Sequence, residues 1–176
     1  MRRVLILGCS GTGKTTLSLA LAERTGRPVI HLDKHYWRAD WVEPSKEEWR
    51  AQVAALTAQP EWIMDGNYGG TVVERLAVAD TAIVLDFSTA ICLWRVMKRV
   101  AAGYGRTRSD LAEGCPEQLD LTFFRYVATF HRNQRPRLMT ALNGFGGRAI
   151  IFSRPSEVPG FLDGLPSPLP PVGRPA

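Results

Sequence analysis

Directly after four apolar residues, Val4-Leu5-Ile6-Leu7, the chain reads Gly8-Cys9-Ser10-Gly11-Thr12-Gly13-Lys14-Thr15, and a helical pattern containing Leu17, Ala20 and Leu21 follows. This octet is a complete Walker A phosphate loop, in the strand–loop–helix setting that the motif requires. Its glycines let the backbone curl so that successive N–H groups face inward, and the helix N-terminus adds its dipole to the same anion site. The residues from Gly8 through Thr15 and Thr16 are therefore expected to bind a nucleoside triphosphate. Lys14 reaches for the β- and γ-phosphates, and the Thr15 hydroxyl is placed to ligate Mg²⁺. A fold that carries such a loop alternates strands and helices around a parallel sheet.

That alternation continues along the chain. Strands are expected at Val4–Leu7, Pro28–Leu32, Trp62–Asp65, Ala82–Phe87 and Arg148–Phe152. Helices are expected at Lys14–Arg24, Ser45–Ala58, Gly70–Ala77, Thr89–Ala102 and Leu119–Leu142. Ser45 followed by Glu48 forms a capping box, and Pro136 should bend or end the last long helix near Arg135. The 176 residues suit one domain, expected over residues 1–165. Its lid is expected at about residues 103–118, where a glycine-flanked, arginine-bearing stretch breaks the periodicity. From Pro166 to Ala176, five prolines in eleven residues predict an extended tail.

Composition excludes several classes. No apolar run approaches the ~18 residues that span a bilayer, and the short run after Met1-Arg2-Arg3 reads as the first strand, not a signal peptide. Cys9, Cys92 and Cys115 are too scattered for a disulfide framework or a zinc site. A soluble cytoplasmic protein is expected. The net charge of +5 arises between Arg95 and Arg137, where nine Lys/Arg stand against four Asp/Glu. Most are arginines, the side chain suited to bidentate phosphate contacts, so the cluster reads as a phosphate clamp and not as a surface for direct nucleic-acid binding.

A phosphate loop alone does not separate a GTPase, a motor and a kinase. The chain has no Asn-Lys-x-Asp guanine reader, and it is short for a mechanical ATPase, so a compact kinase is expected, with ATP and Mg²⁺ as cofactors and a small-molecule phosphoryl acceptor as partner. In a parallel sheet, ligands collect beyond the carboxyl ends of the strands. Asp33, just past the second strand, is thus expected to orient an acceptor hydroxyl or take its proton. Tyr36, Trp37 and Trp41 follow, able to stack on a flat substrate or to pack internally. Asp65 ends the strand Trp62–Asp65 and is expected to hold Mg²⁺ together with Thr15, with Asp86, after Ile83-Val84-Leu85, as the rival. Gly66 allows close backbone approach, and Asn67 and Tyr68 are expected to face the acceptor.

Arg95 and Arg99 share one helical face, away from an apolar Ile91/Trp94/Met97 stripe. With Arg106 and Arg108 in the lid they are expected to neutralise charge on the transferring phosphoryl group. Arg125 and Arg132, on one face of the next helix, are expected at the substrate. His31, His35 and His131 read as structural.

Taken together, the phosphate loop, His31-Leu32-Asp33-x-x-Tyr36-Trp37, Trp62-Ile63-Met64-Asp65-Gly66-Asn67-Tyr68 and Leu93-x-Arg95-x-x-x-Arg99 resemble the adenylate-kinase-related P-loop proteins labelled "DNA topology modulation protein". The resemblance runs to about Phe152. It implies a nucleoside/nucleotide-kinase fold with strand order 2-3-1-4-5, ATP and Mg²⁺ binding, and an arginine-bearing lid. Asp65-Gly66 is similar to the Asp-Gly that opens the acceptor motif of adenylate kinases, but Asn67-Tyr68 replaces the Phe-Pro-Arg found there. The Asp33-x-x-Tyr36 spacing is closer to uridine-kinase-like enzymes. The expected activity is transfer of the γ-phosphoryl group of ATP to a nucleoside, nucleotide or sugar-like acceptor. The alternatives are an ATP-binding regulator of DNA topology and a small ATPase without a metabolite acceptor.

Overall fold

The computed structural model describes residues 1–166. Its strands are β1 (Arg3–Gly8), β2 (Val29–His31), β3 (Trp62–Asp65), β4 (Thr81–Leu85) and β5 (Arg148–Phe152). They form one sheet in the order β2-β3-β1-β4-β5, every neighbouring pair parallel. The helices are α1 (Lys14–Thr25), α2 (Leu32–Tyr36), α3 (Lys46–Thr57), α4 (Val72–Val78), α5 (Thr89–Gly103), α6 (Leu121–Asn133), α7 (Arg135–Asn143) and α8 (Glu157–Asp163).

The near-continuous aliphatic runs in the central strands are what a sheet buried on both faces demands. Alternate residues divide between two cores. Val4, Ile6, Ile63, Ile83 and Leu85 face α1, α5, α6 and α8, whereas Leu5, Leu7, Trp62, Met64 and Val84 face α3, α4 and α7. β1 is buried along Val4–Gly8, so the phosphate loop that follows it starts from the most constrained part of the sheet.

β3 and β5 coincide with the expected strands. The capping box at Ser45 is complete, with Glu48 N–H donating to Ser45 Oγ at 3.1 Å and Ser45 N–H to Glu48 at 2.8 Å. The long helix expected over 119–142 is two helices, α6 and α7, parted at Gln134, with Pro136 in the first turn of α7. The apolar stripe expected on α5 is displaced. Cys92, Val96 and Val100 are its buried residues, at i, i+4 and i+8, while Trp94 and Met97 are exposed. Two short helices, α2 and α8, fall where loops were expected. Ser167–Ala176, nearly all of the expected proline-rich tail, lies outside the described residues. No helix among the described residues is long and apolar enough to cross a membrane.

The expected lid is packed down. Tyr104 bridges to Glu117 and Thr107 to Pro116, and Asp110, Leu111, Cys115 and Glu117 are buried. Asp40 N–H donates to Gly114 O at 3.0 Å, and the Cys115 thiol lies 3.2 Å from Arg38 O. The segment thus closes against the turn that follows α2.

Candidate functional site

The phosphate loop turns where only glycine fits. Gly8 has φ +141° and Gly11 φ +86°, and a Cβ at either would stand 2.5 Å from a carbonyl oxygen, of Leu85 and Cys92 respectively. The Lys14 ammonium folds back over the loop and donates to Gly8 O at 2.9 Å and Cys9 O at 3.0 Å. Burial pushes its pKa down, opposed by the nearby carboxylates of Asp33 and Asp65. Thr12 is buried and donates its hydroxyl to Cys9 O at 2.8 Å. Cys9 is buried as well, and its hydrogen bond with Cys92, then burial, hold its thiol above the ordinary pKa. Ser10 is partly exposed and Thr16 exposed.

Thr15 and Asp65, expected to share a metal, each have another partner. Thr15 Oγ1 donates to Asp110 Oδ2 at 2.9 Å. Asp65 accepts from Ser18 Oγ at 2.6 Å and lies 2.9 Å from His31 Nδ1. Parallel pairing of β2 with β3 sets His31 beside Asp65, and that hydrogen bond raises the histidine pKa against the effect of burial. The rival carboxylate, Asp86, is held by the Arg135 guanidinium at 2.7–2.9 Å and faces His131 Nε2 at 3.4 Å. It ties the end of β4 to the start of α7.

The segment after β3 links two regions. The Asn67 side-chain amide pairs with Gly8 in both directions: Gly8 N–H donates to Oδ1 at 3.0 Å and Nδ2 donates to Gly8 O at 2.7 Å. The next residue, Tyr68, donates its hydroxyl to Asp33 Oδ1 at 2.6 Å. Burial, then the adjacent Asp33 charge, raises the Tyr68 pKa. Asp33 itself stands in the first turn of α2. Arg75, fully buried, organises the segment by donating to the carbonyls of Gly66, Asn67, Tyr68 and Thr71. Burial lowers its pKa to about 10. Gly66 has φ +129°, and a Cβ there would meet Leu32 at 2.8 Å.

Tyr36 and Tyr68 pack with Trp49 at ring separations of 4.6–4.9 Å and, with Lys46 and Arg50, line a cavity of about 300 Å³. Trp37 sits outside that lining, edge-on between Tyr36 and Trp41.

The expected arginines divide. Arg95 Nη1 donates to Thr12 O at 3.2 Å, and its guanidinium lies over Phe87. Arg99 and Arg108 converge on the buried Glu117, at 2.9 and 3.1 Å, and Arg108 also reaches Asp110 at 3.3 Å. Burial lowers the Arg99 pKa, as does the neighbouring Arg108 charge, while Glu117, Asp110 and Asp33 favour its charged form. Arg106, Arg125 and Arg132 are exposed, with no ion pair among the described residues.

Sequence reasoning missed Asp110, Glu117, Ser18 and Arg75 and gave His31 only a structural role. The expected strand order placed β2 beside β3, but the expected second strand ran to Leu32, one residue past the His31 that pairs with Asp65. Asp110 carries no local signal.

The family model for isopentenyl transferase matches residues 1–40, which span β1, the phosphate loop, α1, β2 and α2. An uncharacterized protein of Bacillus subtilis (strain 168), YqaC, is 26% identical over 131 residues, 73% of this chain and 72% of its own. Shikimate kinase from Acinetobacter baumannii superposes with a TM-score of 0.57 at 12% identity, over 93% of this chain and 89% of that one. Deoxyadenosine kinase from M. mycoides superposes with a TM-score of 0.53 at 16% identity, over 91% and 96%. The chain has the P-loop fold of these kinases, with its five-stranded parallel sheet in the order 2-3-1-4-5.

Proposed function

We propose that the chain is an ATP-dependent phosphotransferase that moves a phosphoryl group onto a hydroxyl of a small-molecule acceptor. The observation that carries this reading is the pair of consecutive residues Asn67 and Tyr68. One is bonded to the phosphate loop, and the other donates to Asp33 while lining an aromatic cavity, so a donor site and an acceptor site share one short segment.

The residues present fit ATP and Mg²⁺. The phosphate loop offers a glycine cradle and an ammonium whose hydrogen bonds go only to carbonyls. For the metal there are a hydroxyl and a carboxylate, oxygen donors suited to a hard cation, at Thr15 and Asp65. Among the described residues no three His, Cys, Asp or Glu side chains form a cage, in keeping with an ion that retains water and leans on substrate phosphates.

Bound ATP with Mg²⁺ would supply the phosphoryl group, whose bond to the bridging oxygen breaks as the acceptor oxygen bonds phosphorus. Lys14 and the loop amides hold the phosphates and offset charge on the leaving oxygen. Asp33 orients the acceptor hydroxyl and receives its proton. The cavity lined by Tyr36, Trp49 and Tyr68 suits a ring-bearing acceptor, and Lys46 and Arg50 at its rim suit an anionic group on it. The kinases of like fold include a deoxyadenosine kinase and a shikimate kinase, whose named acceptors both carry rings.

The test is transfer of label from γ-labelled ATP to a panel of nucleosides, nucleotides and sugar-like acids. Lys14→Ala should abolish transfer. Asp33→Asn should keep ATP binding and lose roughly 10²–10⁴ in turnover. Unchanged turnover in Asp33→Asn would sink its role, and a panel without a labelled product would overturn the kinase reading.

A further inference from the structure

The loop at about residues 103–118, expected to carry arginines to phosphate, also brings a carboxylate to the phosphate loop. Asp110 is only 8% exposed and accepts the Thr15 hydroxyl proton at 2.9 Å. The loop is held closed from two sides. Glu117 pairs with Arg99 of α5, and Gly114 and Cys115 hydrogen-bond to Asp40 and Arg38, just beyond Asp33 and α2. One closure therefore touches both the phosphate loop and the acceptor side.

A threonine hydroxyl has one proton and two lone pairs. With its proton directed to Asp110, Thr15 turns its lone pairs toward whatever cation sits at the phosphate loop. The ionised Asp110 has opposite effects on the two forms of a triphosphate. Bare polyphosphate meets an added negative charge, whereas a metal-bound one meets a carboxylate that orients the metal's hydroxyl ligand and favours the cation.

We propose that Asp110 is a positioning residue of the triphosphate site, acting through Thr15 to make nucleotide binding depend on the divalent metal and on closure of the 103–118 loop. This rests on the reading of the phosphate loop as an ATP site. A carboxylate in this outer position is worth roughly 10- to 100-fold in metal affinity where such partners have been removed from other sites.

The experiment is titration of a fluorescent ATP analogue into wild type and Asp110→Asn, with Mg²⁺ and with EDTA. Asparagine keeps the shape and an oxygen acceptor for Thr15 but removes the charge. Binding with Mg²⁺ should weaken at least about tenfold, while binding in EDTA stays the same or tightens, so the benefit from metal collapses. A loss of equal size in both conditions is what a merely structural role gives, and it overturns the proposal, as does an unchanged benefit. Wild type that binds no analogue in either condition overturns the ATP-site reading and this proposal together. Thermal melts verify the fold of the variant. Asp110→Ser, which also removes the charge, carries the same test if the amide is not accommodated.

Discussion

Asn67→Asp alters one atom of the contact that fastens the phosphate loop to β3. The wild-type amide accepts from Gly8 N–H at 3.0 Å and donates to Gly8 O at 2.7 Å. In the variant the first bond survives, and the second becomes an oxygen facing an oxygen at hydrogen-bond distance. Gly8 O keeps the Lys14 ammonium at 2.9 Å, so it is not orphaned, and the lost bond costs about 1 kcal/mol. Opposition between the new carboxylate and the carbonyl adds about as much again. A loss of about 2 kcal/mol in a chain of this size lowers the melting midpoint by about 4–8 °C. The effect on ligand is larger. At an effective dielectric of about 20, each unit of phosphate charge lying within about 8 Å of the new carboxylate would cost about 2 kcal/mol or more. It also competes for Lys14. Calorimetric titration with Mg·ATP should show affinity weaker by more than about tenfold. A midpoint within about a degree of wild type, with affinity within about twofold, would refute the assignment of Asn67 as the tie between β3 and the phosphate loop.

Two further perturbations probe the surroundings. In Arg75→Met the carbonyls of Gly66 and Asn67 lose their guanidinium partner, which should cost about 2–4 kcal/mol in denaturant unfolding and raise the acceptor KM more than it alters ATP affinity; wild-type stability would show that water replaces the arginine. Glu48 is held at about 2, against an ordinary 4.5, first by the backbone N–H of Ser45 and then by Arg38. Because the folded value is depressed, its contribution is fully present above pH 4.5 and lost as pH falls toward 2. The difference in melting midpoint between wild type and Glu48→Gln should therefore shrink over that interval, and a constant difference would remove the capping-box carboxylate as its source.

How much was legible in the sequence depended on whether the signal was local. Apolar runs at Val4–Leu7, Trp62–Asp65 and Ala82–Phe87 marked the central strands, because a strand buried on both faces is apolar nearly throughout. Ser45 and Glu48 marked the start of α3 because both halves of a capping box lie within four residues. Helix α8 was invisible because Pro159 and Gly160 interrupt its seven residues, and α2 because five residues make little more than one turn. Asn67 shows an inference that was half available. The expected strand order put β3 beside β1, and the register that sets Ile6 opposite Asp65 then brings Asn67 to Gly8. Asp110 had no such handle. It reaches Thr15, 95 residues earlier in the chain, only because its loop folds back over the sheet edge, and a contact of that separation leaves no periodicity to read.

The cationic excess between Arg95 and Arg137 illustrates the same limit in terms of charge. Along the sequence it looked like a reservoir for phosphate. In space, Arg135 is committed to Asp86, and Arg99 and Arg108 share Glu117. Sharing matters energetically, since removing the only partner of a buried carboxylate costs several kcal/mol whereas removing one of two leaves the charge compensated. Glu117 is 5% exposed, so either arginine alone leaves its charge compensated. Arg108, on the loop, is shared between Glu117 and Asp110, whereas Arg99 also lies over Phe123 on α6. In the proposed enzyme, the loop's acids thus gather Arg99 of α5 and Arg108 of the loop, and Asp110 joins that group to Thr15.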